Sequence, residues 1–242
     1  MSKGKIIFIT ATDTAVGKTV TAFVLGVLLE AQGFDIGVMK PVQCAGTDAQ
    51  FLKKVLGVQD ELRVINPFYA PEPLSPHLAF RRSKIKFDTR RVQDELKKLR
   101  ARHDIVLVEG AGGLMVPLTN GYYNADLIAD LNAQVIIVAR LGLGTINHTL
   151  LTINEAQKRG LMIRGLVFCQ TKPGKKGLAE STNPQEIEKL SGVKVLGTIP
   201  YLKPLNQKNI LRRYGRVSLR GAEGDVAIFL KRLLRFARND TV

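Results

Sequence analysis

The chain has 242 residues, 45% of them hydrophobic, a composition typical of a single globular α/β domain over residues 1–242. Its apolar runs are too short or too interrupted to cross a bilayer, and the first residues lead directly into a strand without room for a cleavable signal. We therefore expect a cytoplasmic protein without a membrane partner.

The formal net charge is +15, and much of the excess lies after residue 200. Such a charge permits nucleic-acid binding, but no nucleic-acid-binding motif accompanies it, so a solvated basic surface is favoured. A predicted helix at about 224–238 has an apolar stripe opposite basic residues, which favours packing against the core over membrane binding. Cys44 and Cys169 lack metal-type spacing and are expected to be reduced.

A β-branched and aromatic run, 5–9, predicts a buried first strand, and an apolar segment with helical spacing, 20–31, predicts the first helix. The loop between them ends in Gly17-Lys18-Thr19, the end of a phosphate-binding P-loop. Backbone N–H groups at the helix N-terminus would hold phosphate oxygens, the lysine would neutralise their charge, and the threonine would reach Mg²⁺. Thr12 stands where a P-loop usually has its first glycine, so the tripeptide alone also permits an ordinary turn.

The remaining predicted elements alternate between strands and helices. In chain order they are strand 34–39, loop 43–47, helix 48–56, an irregular proline-rich stretch over 59–86, helix 89–102, strand 104–109, helix 124–131, strand 134–139, helix 145–159, strand 163–169, helix 184–190 and strand 194–199. This alternation predicts an α/β fold, a mostly parallel sheet with helices on both faces, similar to P-loop nucleoside triphosphatases. We expect a functional loop in 59–86 and an N-cap at Thr145.

Charged residues stand at the ends of these predicted strands, and the carboxyl ends of parallel strands meet at one edge of the sheet. Lys40 follows the second strand, Asp48 opens a helix, and Glu109 ends a buried strand. Together with Lys18, these residues form a set suited to Mg²⁺ binding and to phosphoryl transfer from ATP. A glutamate before a glycine turn is unremarkable by itself, so its interpretation depends on the P-loop.

Six motifs resemble, in order, those of the dethiobiotin synthetase family. They are Thr12-Asp13-Thr14-x-Val16-Gly17-Lys18-Thr19, Lys40-Pro41-Val42, Glu72-Pro73-x-Ser75-Pro76-His77, Val108-Glu109-Gly110-Ala111-Gly112-Gly113, Gly144-x-Ile146-Asn147-His148 and Gly197-x-Ile199-Pro200. The resemblance implies an ATP-dependent enzyme of biotin synthesis that works as a homodimer. In the family, 7,8-diaminopelargonic acid takes up CO2 as a carbamate, ATP phosphorylates the carbamate, and the second amine closes a ureido ring to give dethiobiotin, ADP and phosphate.

The resemblance also implies roles for individual residues. Lys40, Lys18 and Thr14 would be catalytic, and Thr19, Asp48 and Glu109 would bind Mg²⁺. Substrate contacts would come from Thr14, Lys40, Cys44, Gly112 and, across the dimer, Asn147. The nucleotide would be bound by Asp13, Ala15, Val16, Gly17, Lys18, Thr19, Val20, Asp48, Glu109 and, around its base, Gln170, Pro200, Tyr201 and Leu202.

The chain departs from the family pattern at several positions. Ala11 replaces a usual glycine, Cys44 replaces a common serine, Gln170 replaces the asparagine that contacts the base, and no tyrosine stands near Ser181 to reach the substrate carboxylate. The base preference therefore stays open.

Besides a degenerate relative that binds nucleotide without turning it over, which Ala11 suggests, two alternatives to this resemblance remain. One is a partition-type or cobyrinate-amidating P-loop ATPase, but partition ATPases carry a signature lysine where this chain has Asp13. The other is a basic nucleic-acid-binding protein with an ATP switch, whose binding would depend steeply on salt. We expect small-molecule substrates and no nucleic acid.

Overall fold

A computed structural model describes residues 4–211 of the chain. Within this range the strands are β1 Lys5–Ala11, β2 Ile36–Met39, β3 Val42–Cys44, β4 Phe68–Ala70, β5 Ile105–Glu109, β6 Pro117–Thr119, β7 Tyr122–Tyr123, β8 Gln134–Arg140, β9 Met162–Cys169 and β10 Val195–Ile199. The helices are α1 Lys18–Glu30, α2 Asp48–Val55, α3 Leu62–Ile65, α4 Pro76–Arg82, α5 Thr89–Arg102, α6 Asn124–Asp130, α7 Thr145–Lys158, α8 Leu178–Ser191 and α9 Gln207–Ile210.

Six of these strands form one parallel sheet in the order β10-β9-β8-β1-β5-β2. β1 lies between β5 and β8, where Phe8 is opposite Val108 on one side and Val135 on the other. The central strands are rich in β-branched residues, and nearly all their side chains are buried, because both faces of a parallel sheet are covered. The predicted parallel sheet is confirmed.

Apolar layers cover both faces of this sheet. On one face, Ile7 and Ile9 of β1 belong to a cluster that includes Phe23 of α1. On the other face, Phe8 belongs to a cluster that includes Leu96 of α5. Successive residues of a strand point to opposite faces of the sheet, so neighbouring apolar side chains of β1 contribute to both layers.

The prediction of an irregular excursion over 59–86 is wrong. These residues contain α3, β4 and α4, and β4 pairs in parallel with β3, which occupies part of the predicted loop 43–47. The rings of Phe68, Phe80 and Phe87 pack together, the closest pair with centroids 4.9 Å apart. Elements of 4, 3 and 7 residues are too short to display a hydrophobic period, so tertiary packing decides them.

Two helix starts also differ from their predictions. α8 begins at Leu178, and Pro184, which was expected to open the helix, is buried inside it. The N-cap of α7 is Gly144, with φ 85°, and not Thr145, whose buried hydroxyl lies 3.4 Å from that of Thr149. A left-handed N-cap suits glycine and moves the threonine into the first turn.

The predicted helix at 224–238 lies outside the described residues. Among residues 4–211, no helix is long and apolar enough to cross a membrane. Cys44 and Cys169 have free thiols, as predicted.

Candidate active site

The phosphate-binding loop connects β1 to α1 at the carboxyl edge of the sheet. Gly17 is the N-cap of α1 with φ 109°, a left-handed conformation that glycine adopts without steric cost. A Cβ atom here would lie 2.7 Å from Sγ of Cys169. Val16 is buried within the loop, and the Lys18 ammonium donates over 3.0 Å to the carbonyl oxygen of the exposed Asp13. The loop thus curls around its own lysine, as a phosphate cradle requires.

A buried ion-pair network joins this loop to neighbouring strand ends. Nζ of Lys40 lies 2.6 Å from Oε1 of Glu109, at the end of β5, and 3.0 Å from Oδ2 of Asp48, at the start of α2. The same Glu109 oxygen accepts a 2.9 Å hydrogen bond from the Thr19 hydroxyl. Lys40 is only 4% exposed and Glu109 only 1%. The predicted meeting of these side chains at one sheet edge is therefore observed.

Burial and charge act in opposite directions on the two lysines of this edge. Burial lowers the pKa of Lys40, but the carboxylates of Glu109 and Asp48 outweigh it and raise the pKa above its ordinary value. Burial, followed by the positive charge of Lys40, lowers the pKa of Lys18 to about 8. Lys40 is thus a cation already held by two carboxylates. Lys18, which donates to a backbone carbonyl, is the cation that an incoming phosphate would stabilise more.

The oxygens of this network fit a magnesium ion. Oε2 of Glu109 is buried and has no hydrogen-bond partner among the described residues, a cost that a cation would remove. Mg²⁺ usually takes one or two carboxylates together with phosphate oxygens and water, and Glu109, Asp48 and Thr19 supply such oxygens. Residues 4–211 contain no group of three His, Cys, Asp or Glu side chains that could hold a metal by themselves. Phosphate oxygens and water would complete the coordination.

The network lies in an open cleft of about 650 Å³. The predicted site residues that line it are Thr14, Ala15, Gly17, Lys18, Thr19, Val20, Lys40, Cys44, Asp48, Glu109 and Gly112. One wall comes from Pro73, Leu74, Ser75 and Pro76, at the start of α4. Sequence reasoning named the motif 72–77 but gave its residues no role in the site. The proline-rich stretch thus forms a wall of the cleft.

Gln43 is a further polar residue that sequence reasoning missed. It is 2% exposed; its Oε1 accepts from the Ala49 N–H over 2.9 Å, and its Nε2 donates to the Gly46 carbonyl over 2.8 Å. These bonds fix the start of α2 and hold Asp48 opposite Lys40. The only sign of this role in the sequence is that Gln43 directly follows Lys40-Pro41-Val42.

Cys44 lines the cleft as a half-buried thiol. Burial raises its pKa to about 11, against the opposing effect of the positive charge of Lys40. Cys44 is therefore a neutral thiol at neutral pH, and it can offer a substrate only a weak hydrogen bond.

Several residues predicted for the site do not line this cleft. Gln170 lines a second cavity of about 330 Å³ beside Arg140, and its Nε2 donates to the Gly174 carbonyl over 2.7 Å. Asn147 is exposed on the first turn of α7 and lines neither cavity. The residues after β10 also line neither cavity; they are Pro200, Tyr201 and Leu202. Within the described residues of a single chain, these side chains are therefore not part of the lining of the Lys40 cleft.

Solved structures share this fold at low sequence identity. The cell division ATPase MinD of Pyrococcus furiosus superposes with a TM-score of 0.59 at 18% identity, covering 98% of this chain and 99% of that one. The protein pNOB8 ParA, solved bound to nonspecific DNA, gives a TM-score of 0.60 at 13% identity, covering 98% of this chain and all of that one, 100%. The AAA domain family matches residues 5–209. Fold and phosphate loop together define a P-loop ATPase.

Named relatives are closer in sequence. The ATP-dependent dethiobiotin synthetase of Nitrosopumilus maritimus is 37% identical over 217 residues, which cover 86% of this chain and 94% of that protein. The corresponding protein of Anaeromyxobacter dehalogenans is 41% identical over 200 residues, covering 81% of this chain and 89% of that protein. The chain belongs to the ATP-dependent dethiobiotin synthetase family.

Proposed function

We propose that this protein converts 7,8-diaminopelargonic acid, CO2 and ATP into dethiobiotin, ADP and phosphate. The observation that carries the proposal is the contact of the buried Lys40 with Asp48 and Glu109 beside the phosphate loop, in a cleft of about 650 Å³. Membership of the family supplies the substrate class. The partition-type and nucleic-acid-binding alternatives gain no comparable support, because the structures that suggest them share only the fold.

The reaction requires positioning and charge neutralisation more than a protein nucleophile. One amine of the substrate attacks CO2 and loses a proton, giving a carbamate. A carbamate oxygen then attacks the γ-phosphorus of ATP, and ADP leaves. The second amine attacks the carbamate carbon and loses a proton, so that the ureido ring closes and phosphate leaves.

Four sets of residues would support these steps. The backbone of 15–20 and the ammonium of Lys18 would bind the triphosphate. Lys40 would stabilise the carbamate and the migrating phosphoryl group as negative charge passes between them. Thr14, Cys44 and Gly112 would contact the diamine, and Gln170 with 200–202 would contact the base.

Thr19, Asp48 and Glu109 are the residues that would hold Mg²⁺. When bound, the ion would supply positive charge to the phosphate oxygens that the reaction moves. The buried, unpartnered Oε2 of Glu109 supports this assignment.

We also propose that the active form is a homodimer that uses the face of α7. Leu143, just before the helix, is 83% exposed, and Leu151, on the same face as the exposed Asn147, is 60% exposed. Removing these two apolar side chains from water would favour association. Contact with a second copy would cover them and would carry Asn147 to the partner's substrate.

The test measures phosphate release by the purified protein with ATP, magnesium and bicarbonate, with and without the diamine, and identifies dethiobiotin by mass. We expect phosphate release that depends on the diamine and matches product. Repeating the assay with other nucleoside triphosphates measures the base preference. ATP hydrolysis that ignores the diamine would overturn the proposed function.

A further inference from the structure

Asn124 is a buried amide close to the cleft but outside it. It is the first residue of α6, it is 1% exposed, and it is not among the residues proposed for the reaction. Its Nδ2 donates to two backbone carbonyl oxygens, of Ala111 over 2.5 Å and of Gly113 over 2.8 Å. Because both partners only accept, the amide nitrogen must face them. One side chain therefore fixes two carbonyls of the glycine-rich loop.

This loop lies between α6 and the phosphate loop. It directly follows Glu109, and the Lys40 ammonium also donates to the Gly110 carbonyl over 3.3 Å. On its other side, the Leu114 N–H donates to the Ala11 carbonyl at the end of β1 over 3.0 Å. The loop is thus held by hydrogen bonds from α6, from Lys40 and to the end of β1.

The direction of one N–H group follows from these contacts. In a planar trans peptide the C=O and the N–H point in opposite directions. The Ala111 carbonyl points at Asn124, so the Gly112 N–H points away from α6. Gly112 lines the cleft, and its N–H has no protein acceptor within the described part of the chain. A backbone donor is therefore available to a ligand in the cleft.

We propose that Asn124 is a positioning residue that holds the Gly112 N–H toward the carbamate of the diamine. This inference rests on the proposed function, which identifies the anion. A fixed N–H aimed at a carbamate oxygen stabilises negative charge without having to reorganise during the reaction. Without Asn124, the peptide between Ala111 and Gly112 would lose the hydrogen bond to its carbonyl, and the peptide after Gly113 would lose the other.

Asn124→Asp tests this role, because it keeps the shape and replaces both donors by acceptors. We expect the KM for the diamine to rise and kcat/KM for the diamine to fall about tenfold. The KM for ATP should stay within about twofold, because the phosphate loop keeps its own contacts. Asn124→Ser, which introduces no charge, is the second variant. A general loss of folded protein would lower the measured kcat, but it would not change the KM for the diamine relative to the KM for ATP.

Asn183 offers a matched control. It is 7% exposed, its Nδ2 donates to the Leu141 carbonyl over 2.8 Å, and neither residue lines the 650 Å³ cleft. Asn183→Asp should leave the KM for the diamine unchanged. If Asn124→Asp and Asn124→Ser, both folded, also leave that KM unchanged, the proposal is wrong.

A second readout does not need turnover. In protein labelled with ¹⁵N at glycine, we expect the Gly112 amide resonance to move in both Asn124 variants and to stay in place in Asn183→Asp. An unmoved Gly112 resonance in the Asn124 variants would contradict the proposal. If wild-type protein makes no dethiobiotin, the proposed function fails, while this comparison still decides whether Asn124 orients the peptide.

Discussion

Lys40 joins stability to chemistry in a single side chain. Its charge is buried with Glu109 at 2.6 Å, so each group compensates the other. Removing one partner of a buried ion pair leaves an unpaired charge and typically costs roughly 3–5 kcal/mol. The residue proposed to act as a cation in the reaction is thus also one that the fold needs.

Lys40→Met is expected to lose more than about nine-tenths of turnover and to lower the free energy of unfolding by roughly 3–5 kcal/mol. Lys40→Met combined with Glu109→Gln should recover part of the stability, since no buried charge is left unpaired, but none of the activity. Urea unfolding and product formation measure the two effects.

Lys53→Met is the matched control for this prediction. The Lys53 ammonium donates to the Val58 and Asp60 carbonyls, away from the cleft. This variant should keep its turnover. Near-normal turnover in Lys40→Met would remove Lys40 from the mechanism.

At the scale of the element, the junction of β1 and α1 depends on Gly17. Its φ of 109° disfavours any side chain, and a Cβ atom would meet Cys169 at the end of β9. The loop is therefore fixed both by its own backbone and by packing from a more distant strand.

Gly17→Ala should abolish ATP binding, because the loop must shift to relieve both the left-handed strain and the 2.7 Å contact with Cys169. Gly33→Ala is a matched control: its φ is also positive, at 88°, but a Cβ there has nothing within 4 Å. It should lose roughly 1–2 kcal/mol of stability and still bind ATP. Calorimetric titration with ATP distinguishes the two, and normal ATP binding by Gly17→Ala would refute this account of the loop.

Element boundaries could be predicted where the sequence pattern is long. α5 was predicted at 89–102 and lies there, because three buried residues recur on one face, Val92, Leu96 and Leu99, and the Asp88 carboxylate caps the helix. α3, β4 and α4 have too few residues to show such a pattern.

Within the candidate site, the strand-end charges could be predicted from the topology alone. Gln43 and Asn124 could not, because a buried amide acts through backbone carbonyls that only the folded chain brings near. Ala11, which departs from the family pattern, is the last residue of β1 and pairs with Val138. A methyl group is acceptable in that extended backbone.

At the scale of the whole molecule, His103 joins three segments at the edge of the sheet opposite the cleft. Its Nδ1 lies 2.8 Å from Asp35, before β2, and its Nε2 lies 2.7 Å from Asp60, before α3. Arg102 also pairs with Asp60, at 2.7 Å. Burial lowers the pKa of His103, but the hydrogen bonds and charges of the two carboxylates outweigh it and raise the pKa.

A raised pKa means that this contact stabilises the fold fully below the unfolded pKa of His, about 6.5, and loses that contribution as pH rises through the folded pKa. The stability lost in His103→Gln should therefore be larger at pH 6 than at pH 9. Urea unfolding at both values measures it. His77→Gln is the control, since the His77 ring meets the Ser75 hydroxyl rather than carboxylates. If His103→Gln lost the same free energy of unfolding at pH 6 and at pH 9, the raised pKa of His103 would be contradicted.

The described residues include a six-stranded parallel sheet and the candidate site at its edge. That residues 1–242 form one domain, and that the protein works in the cytoplasm, stay predictions. The basic segment after residue 211 lies outside the described residues.

In the proposed reaction, ATP phosphorylates a carbamate in the Lys40 cleft. The most direct measurement supplies CO2 labelled with ¹⁸O and analyses the released phosphate by mass. Because a carbamate oxygen becomes the bridge to phosphorus and leaves with it, we predict one ¹⁸O atom in each phosphate and the other in the ureido carbonyl. Phosphate that takes its new oxygen from water would show that ATP is hydrolysed without carbamate phosphorylation, and would contradict the account.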